Sequence, residues 1–118
     1  MQDEQLREAL LAAQAATAER RQGLIVDLTS VIEAASDVAT DDEHDPEGAT
    51  IAYERSRLTT LVAHANEQLA EIQAGLGRLA EGSYGRCEQC GNRIGEGRLA
   101  AVPATRTCRD CADLKQRR

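Results

Sequence analysis

The sequence predicts an all-α chain: a long antiparallel helical hairpin (coiled coil), then a small four-cysteine module and a short C-terminal helix. Three observations carry that expectation. Two long stretches repeat apolar side chains every three or four positions, an acidic Pro-containing segment separates them, and every cysteine falls after residue 86. The 118 residues include no Trp, no Phe and two Tyr, so Ala and Leu supply the burial that aromatic residues usually provide. Such a composition suits helices packed side by side.

The first helix is expected from residue 3 to about 39, with apolar positions at Leu6, Leu10, Ala13, Leu24, Leu28, Val31, Ala35 and Val38. Between Thr17 and Gly23 the segment ERRQG interrupts this seam, and a bend, a register shift or fraying is expected there. TDDEHDPEG, residues 40–48, gathers five acids around a Pro, ends in Gly and offers a core nothing to bury, which marks a turn. After it, Ile51, Arg55, Leu58, Val62, Ala65, Leu69, Ile72, Leu76 and Leu79 keep a 4-3-4-3 spacing with only Arg55 out of character, the seam of a second helix. The short link favours an antiparallel pair, so residues 1–80 are expected to form the hairpin with an acidic tip near 40–50. Within the second helix, Gly75 and Gly77 mark either a weak helix end or a close crossing of the first helix. EGSYG, residues 81–85, ends that helix and opens a module over 81–118, where ADLKQRR forms the final helix.

Net charge is −6, falling to about −8 if four thiolates hold one divalent ion. Polyphosphate backbones repel such a chain, so a protein partner is expected and sequence-specific nucleic-acid binding is not. No apolar run reaches the length of a membrane span, and MQDEQLREAL has no secretory apolar stretch, which places the chain in the cytoplasm with reduced thiols. Nothing resembles a nucleophile triad, a phosphate loop or a framed carboxylate pair, so no enzymatic activity is expected. His64 lies off the seam and reads as a surface residue, and His44 sits alone in the turn.

The cysteines form CEQC and CRDC, separated by seventeen residues. A thioredoxin-like redox centre uses one such pair beside a βαβ pattern, and neither condition is met. Disulfides do not suit a reducing compartment. Cys87, Cys90, Cys108 and Cys111 instead have the spacing of a four-cysteine zinc site, two soft ligands from each tight turn, with Gly91 free to take the positive φ of the first. Four thiolates fill a tetrahedron and leave no position for water, so one Zn2+ is expected in a structural role. Ile94, Leu99 and Val102 are the few apolar residues left to pack around it.

Gly82, Tyr84, Gly85, Cys87, Cys90, Gly91, Ile94, Arg98, Leu99, Ala101, Pro103, Cys108 and Cys111, with a helical hairpin upstream, resemble the DksA/TraR family of bacterial transcription regulators. The resemblance implies a protein that binds RNA polymerase and sends its coiled-coil tip through the secondary channel towards the catalytic magnesium. Acidic residues suit such a path, because a channel that handles nucleotides is expected to carry positive field. The family tip carries D-x-x-D-x-A. Here HDPEGA places His44, Glu47 and Ala49 on those positions, or in a one-residue slip Asp45, Gly48 and Thr50, so neither register restores the motif. Asp45, Glu47 and Ala49 are the tip candidates. Some members also respond to the alarmone guanosine tetraphosphate through basic residues near the finger and last helix, positions held here by Arg98, Lys115 and the terminal arginines, whose plainer reading is solvated cations. A monomer is expected, although two exposed seams offer a route to pairing; the alternative function is a zinc-stabilised adaptor for another protein.

Overall fold

The computed structural model describes residues 3–36 and 46–116. Four helices follow in order: α1 (Asp3–Ser36), α2 (Pro46–Glu81), α3 (Glu96–Ala101) and α4 (Arg109–Gln116). Among the described residues there is no strand, only an isolated antiparallel bridge between Arg86 and Arg93. The fold is all-α, a helical hairpin carrying a small four-cysteine module. No described helix is long and apolar enough to cross a membrane. The chain groups into two compact units, one made of the chain up to Ala16 and from Gln68 onward, the other of Thr17–Glu67.

In the Thr17–Glu67 unit, Leu58 and Ala65 of α2 are buried, at 2% and 0% exposure, with Leu24, Leu28, Val31 and Ala35 of α1 half-buried. Of the outcomes expected between Thr17 and Gly23, fraying does not occur. The helix is continuous, and Thr17 and Arg21 are themselves half-buried, one heptad before Leu24 and Leu28. Arg21 is held there by a hydrogen bond from its Nε to Oδ1 of the exposed Asn66 across the hairpin, a polar pair at the edge of the seam. Arg55, read as a seam position, is exposed, and the half-buried neighbour is Glu54, whose carboxylate pairs with Arg57 at 3.0 Å along the helix. That rotation keeps one charge in water and uses the other in an i,i+3 pair.

The tip boundary also differs from expectation. Pro46, Glu47 and Gly48 belong to α2 and not to a turn. Proline suits the first turn of a helix, since its φ is preset and the N–H it lacks would have no partner there. Thr50 Oγ1 then donates back to the Pro46 carbonyl at 3.0 Å.

In the other unit, Leu10 of α1 is wholly buried and Ile72 of α2 is 6% exposed. Gln14 Nε2 donates to Gln73 Oε1 at 3.2 Å, so the two helix segments run antiparallel here as well. Gly75 is the close crossing. A Cβ placed on it would lie 3.4 Å from Leu10 Cδ2 and 3.9 Å from the Ala104 backbone, whereas Gly77 faces open space. The helix ends in a Schellman motif: Gly82 takes φ +85°, its N–H reaches the Leu79 carbonyl at 3.3 Å, and Ser83 N–H reaches the Arg78 carbonyl at 2.9 Å.

The two glycines make a matched test of this packing. Gly77→Ala is expected to stabilise the fold by about 1 kcal/mol through helix propensity. Gly75→Leu, which forces a side chain into the Leu10 and Ala104 contact, is expected to destabilise it by roughly 1–3 kcal/mol. Thermal unfolding followed by circular dichroism reads both signs.

Candidate metal centre

Two turns present the sulfurs. Arg86 and Arg93 bridge, Cys87 N–H donates to the Asn92 carbonyl at 2.9 Å, and Gly91 N–H donates to the Cys87 carbonyl at 2.9 Å. Gly91 takes φ +76°, as the motif required, and Gly85 takes φ +87° where the chain enters the module beneath Leu99. The second pair straddles the start of α4: Cys108 immediately precedes the helix and Cys111 lies in its first turn, with Ala112 N–H bonded to the Cys108 carbonyl at 3.0 Å. Glu88 N–H reaches the Arg106 carbonyl at 2.9 Å and ties the two turns together.

All four sulfurs lie within 4.8 Å of one another, and Cys90 Sγ is 3.9 Å from Cys108 Sγ. A tetrahedral zinc with bonds near 2.3 Å separates its sulfurs by about 3.8 Å, so the four residues fit the ion. Cys87 is buried, Cys90 exposed, and Cys108 and Cys111 lie between. The backbone N–H of Cys108, with those of Cys90 and Gln89, lowers the Cys87 pKa to about 6, which prepares one thiolate ligand. Cys111 is pushed up to about 12, first by Cys108 and then by Cys87, because its proton is shared among crowded sulfurs. A divalent cation supplies the charge that lets all four ionise together. Cys87, Ile94 and Leu99 form the small core beside this cluster, with Tyr84 packed on it. Val102, expected to join them, is 45% exposed, because α3 closes one residue earlier and its cap turns the side chain outward.

The loop after α3 docks this centre on α2. Tyr84 Oη donates to the Pro103 carbonyl at 2.7 Å, and burial pushes its pKa up. Arg78 reaches the carbonyls of Ala104 and Thr105 at 3.4 and 3.5 Å. Arg106 bonds Glu71 at 2.7 Å and Glu88 at 3.1 Å, bracing the loop against both helix and first turn. Helix α3 and this Arg106 clamp escaped sequence reading. Gly95 ahead of EGRLAA and Pro103 behind it were the available signals for the helix, while nothing local marks the clamp.

A model of the prokaryotic dksA/traR C4-type zinc finger matches residues 82–117. Residues 82–117 are thus a zinc finger of the dksA/traR C4 type. Its four cysteines are the ligands of one structural Zn2+. An uncharacterized protein of Aquifex aeolicus (strain VF5) is 47% identical over 49 residues, 42% of this chain and 34% of that one. The uncharacterized protein YteA of Bacillus subtilis (strain 168) is 38% identical over 66 residues, 56% of this chain and 28% of that one. The alignments thus span about a third or less of the length of these two relatives. Among solved structures, transcription factor DksA2 from Pseudomonas aeruginosa superposes with a TM-score of 0.79 over 98% of this chain and 83% of its own, at 23% identity, a likeness of fold.

Glu47 and Ala49 lie exposed in the first turn of α2, and His44 and Asp45 lie outside the described residues. Arg98 donates its Nε–H to the Thr107 carbonyl at 2.9 Å, half-buried in the finger, while Lys115 is exposed in the last turn of α4.

Arg106 holds the Glu71 carboxyl below the ordinary carboxylate range. A depressed folded pKa adds stability above the unfolded value and loses it as pH falls through the folded one. Both partners are 40–48% exposed, so the pair contributes at most about 1 kcal/mol. Glu71→Gln is expected to lower stability by that order at pH 7, with the difference from the parent vanishing as pH falls through the depressed Glu71 pKa, as chemical unfolding across pH will report.

Proposed function

We propose that this chain is a non-enzymatic, cytoplasmic transcription regulator of the DksA/TraR type that binds RNA polymerase and places the hairpin tip in the secondary channel. One observation carries the reading: a DksA/TraR zinc finger stands at the open end of a helical hairpin whose fold superposes on that of a transcription factor over 98% of the chain. The chemistry agrees with that task. Of the 20 acidic residues only four follow residue 81, so the hairpin holds most of the negative charge that a positive, nucleotide-handling channel attracts. Asp45, Glu47 and Ala49 are the tip residues that act there, and polymerase specificity arises through protein contacts without base readout. The zinc finger serves as the base that fixes the ends of α1 and α2 relative to the partner.

A pull-down with purified core RNA polymerase tests this. Binding is expected to survive Glu47→Ala while transcript output in vitro changes, and to be lost when a chelator strips the zinc. A zinc-stabilised adaptor for some other protein predicts no polymerase capture under any of these conditions.

A further inference from the structure

We infer that Arg86 and Arg93 form a two-guanidinium fork on the outer face of the zinc finger that docks an acidic surface of a protein partner; only the choice of RNA polymerase as that partner rests on the reading above. The geometry comes from the backbone. Cys87 N–H to the Asn92 carbonyl and Ile94 N–H to the Gly85 carbonyl, at 2.9 and 2.7 Å, bracket the bridge between the two arginines. That pattern makes them a non-hydrogen-bonded antiparallel pair, in which facing Cα atoms approach to about 4.5 Å and both side chains leave the same face. Alternation turns the next residues inward, and Cys87 and Ile94 are only 3% and 5% exposed. Both arginines are exposed.

Like charges directly opposite each other destabilise a strand pair. Of the other described arginines of the finger, Arg106 holds two carboxylates, Arg98 holds the Thr107 carbonyl, and Arg109 stands alone and exposed at the start of α4. In the fork, by contrast, two arginines face each other. Arg86 Nη1 reaches only the Gly91 carbonyl, at 3.4 Å, and among the described residues no carboxylate bonds either arginine. A repulsion kept on an exposed face of the module, against local stability, is the mark of a contact made elsewhere.

Guanidinium forks match carboxylates in bidentate fashion, two N–H groups to two oxygens. Residues 82–118 hold eight Lys and Arg against four Asp and Glu, so the finger is the basic part of an acidic chain. Nucleic-acid binding draws on about 6–10 phosphate contacts, which two arginines do not supply and which the acidic remainder opposes. An acidic protein face needs only one or two carboxylates opposite the fork, and gains specificity from their spacing.

Arg93→Glu separates this role from a structural one, because it replaces a repulsive pair with an attractive one. The variant is expected to melt roughly 1–4 °C higher than the parent and to bind core RNA polymerase about tenfold more weakly at low salt. Unchanged affinity in Arg93→Glu overturns the proposal, as does a lower melting temperature. If the parent itself fails to bind polymerase, the functional reading falls, and the fork is judged by the arginine Nε–H resonances titrated with oligoglutamate. Saturable shifts in the parent that disappear in Arg93→Glu support the fork; resonances that stay still overturn it. A stronger response to a DNA or RNA oligonucleotide than to oligoglutamate, or self-association abolished by Arg93→Glu, also overturns it by assigning a different occupant.

Discussion

Four thiolates gathered within 4.8 Å of one another are the constraint on which the C-terminal module depends. Without a cation, such a cluster shares its protons unequally, with Cys87 drawn down by backbone N–H groups and Cys111 driven up by its neighbours. With zinc the four charges become favourable together, and the two turns, the bridge between Arg86 and Arg93 and the short helix α4 all acquire a common centre. The apolar core beside it is only Cys87, Ile94 and Leu99 with Tyr84 against them, too little to hold 36 residues by burial alone.

From that centre the order is passed to α2 through polar contacts more than through packing. Tyr84, Arg78 and Arg106 each fasten the 103–107 loop or its flank to the helix, by a phenol, a guanidinium on carbonyls and an ion pair respectively. Gly75 lets Leu10 of α1 and Ala104 of the loop approach the same point on α2, so one absent side chain makes room for both. Exposed amide and guanidinium pairs, Gln14 with Gln73 and Arg21 with Asn66, also join the two helices. Each favours one register, since only one alignment satisfies both partners.

Periodicity and spacing made much of this legible. The cysteines announce their own geometry, because no other pattern places four soft ligands two by two around one ion, and Gly82 and Gly91 take the positive φ that their positions demand. Leu58, Ala65 and Ile72 are buried at the heptad positions read from the sequence. What escaped has a common cause. A seam judged by hydrophobicity hides Arg21, because its place there depends on a partner forty-five residues away in the chain. Pro46 reads as a turn until its place at the first residue of a helix is known, and Arg106 is an ordinary surface cation until the fold brings Glu71 and Glu88 to it. Helix α3 is six residues long, shorter than any periodicity can resolve.

Amide hydrogen exchange with and without a zinc chelator reads the dependence of the finger on its metal residue by residue. The amides of Cys87, Glu88 and Ile94, each bonded across the finger, are expected to lose their protection when the metal is removed, while helical amides near Leu58 and Ala65 keep theirs. Protection at those three finger amides that persists unchanged in the metal-free protein would contradict that dependence.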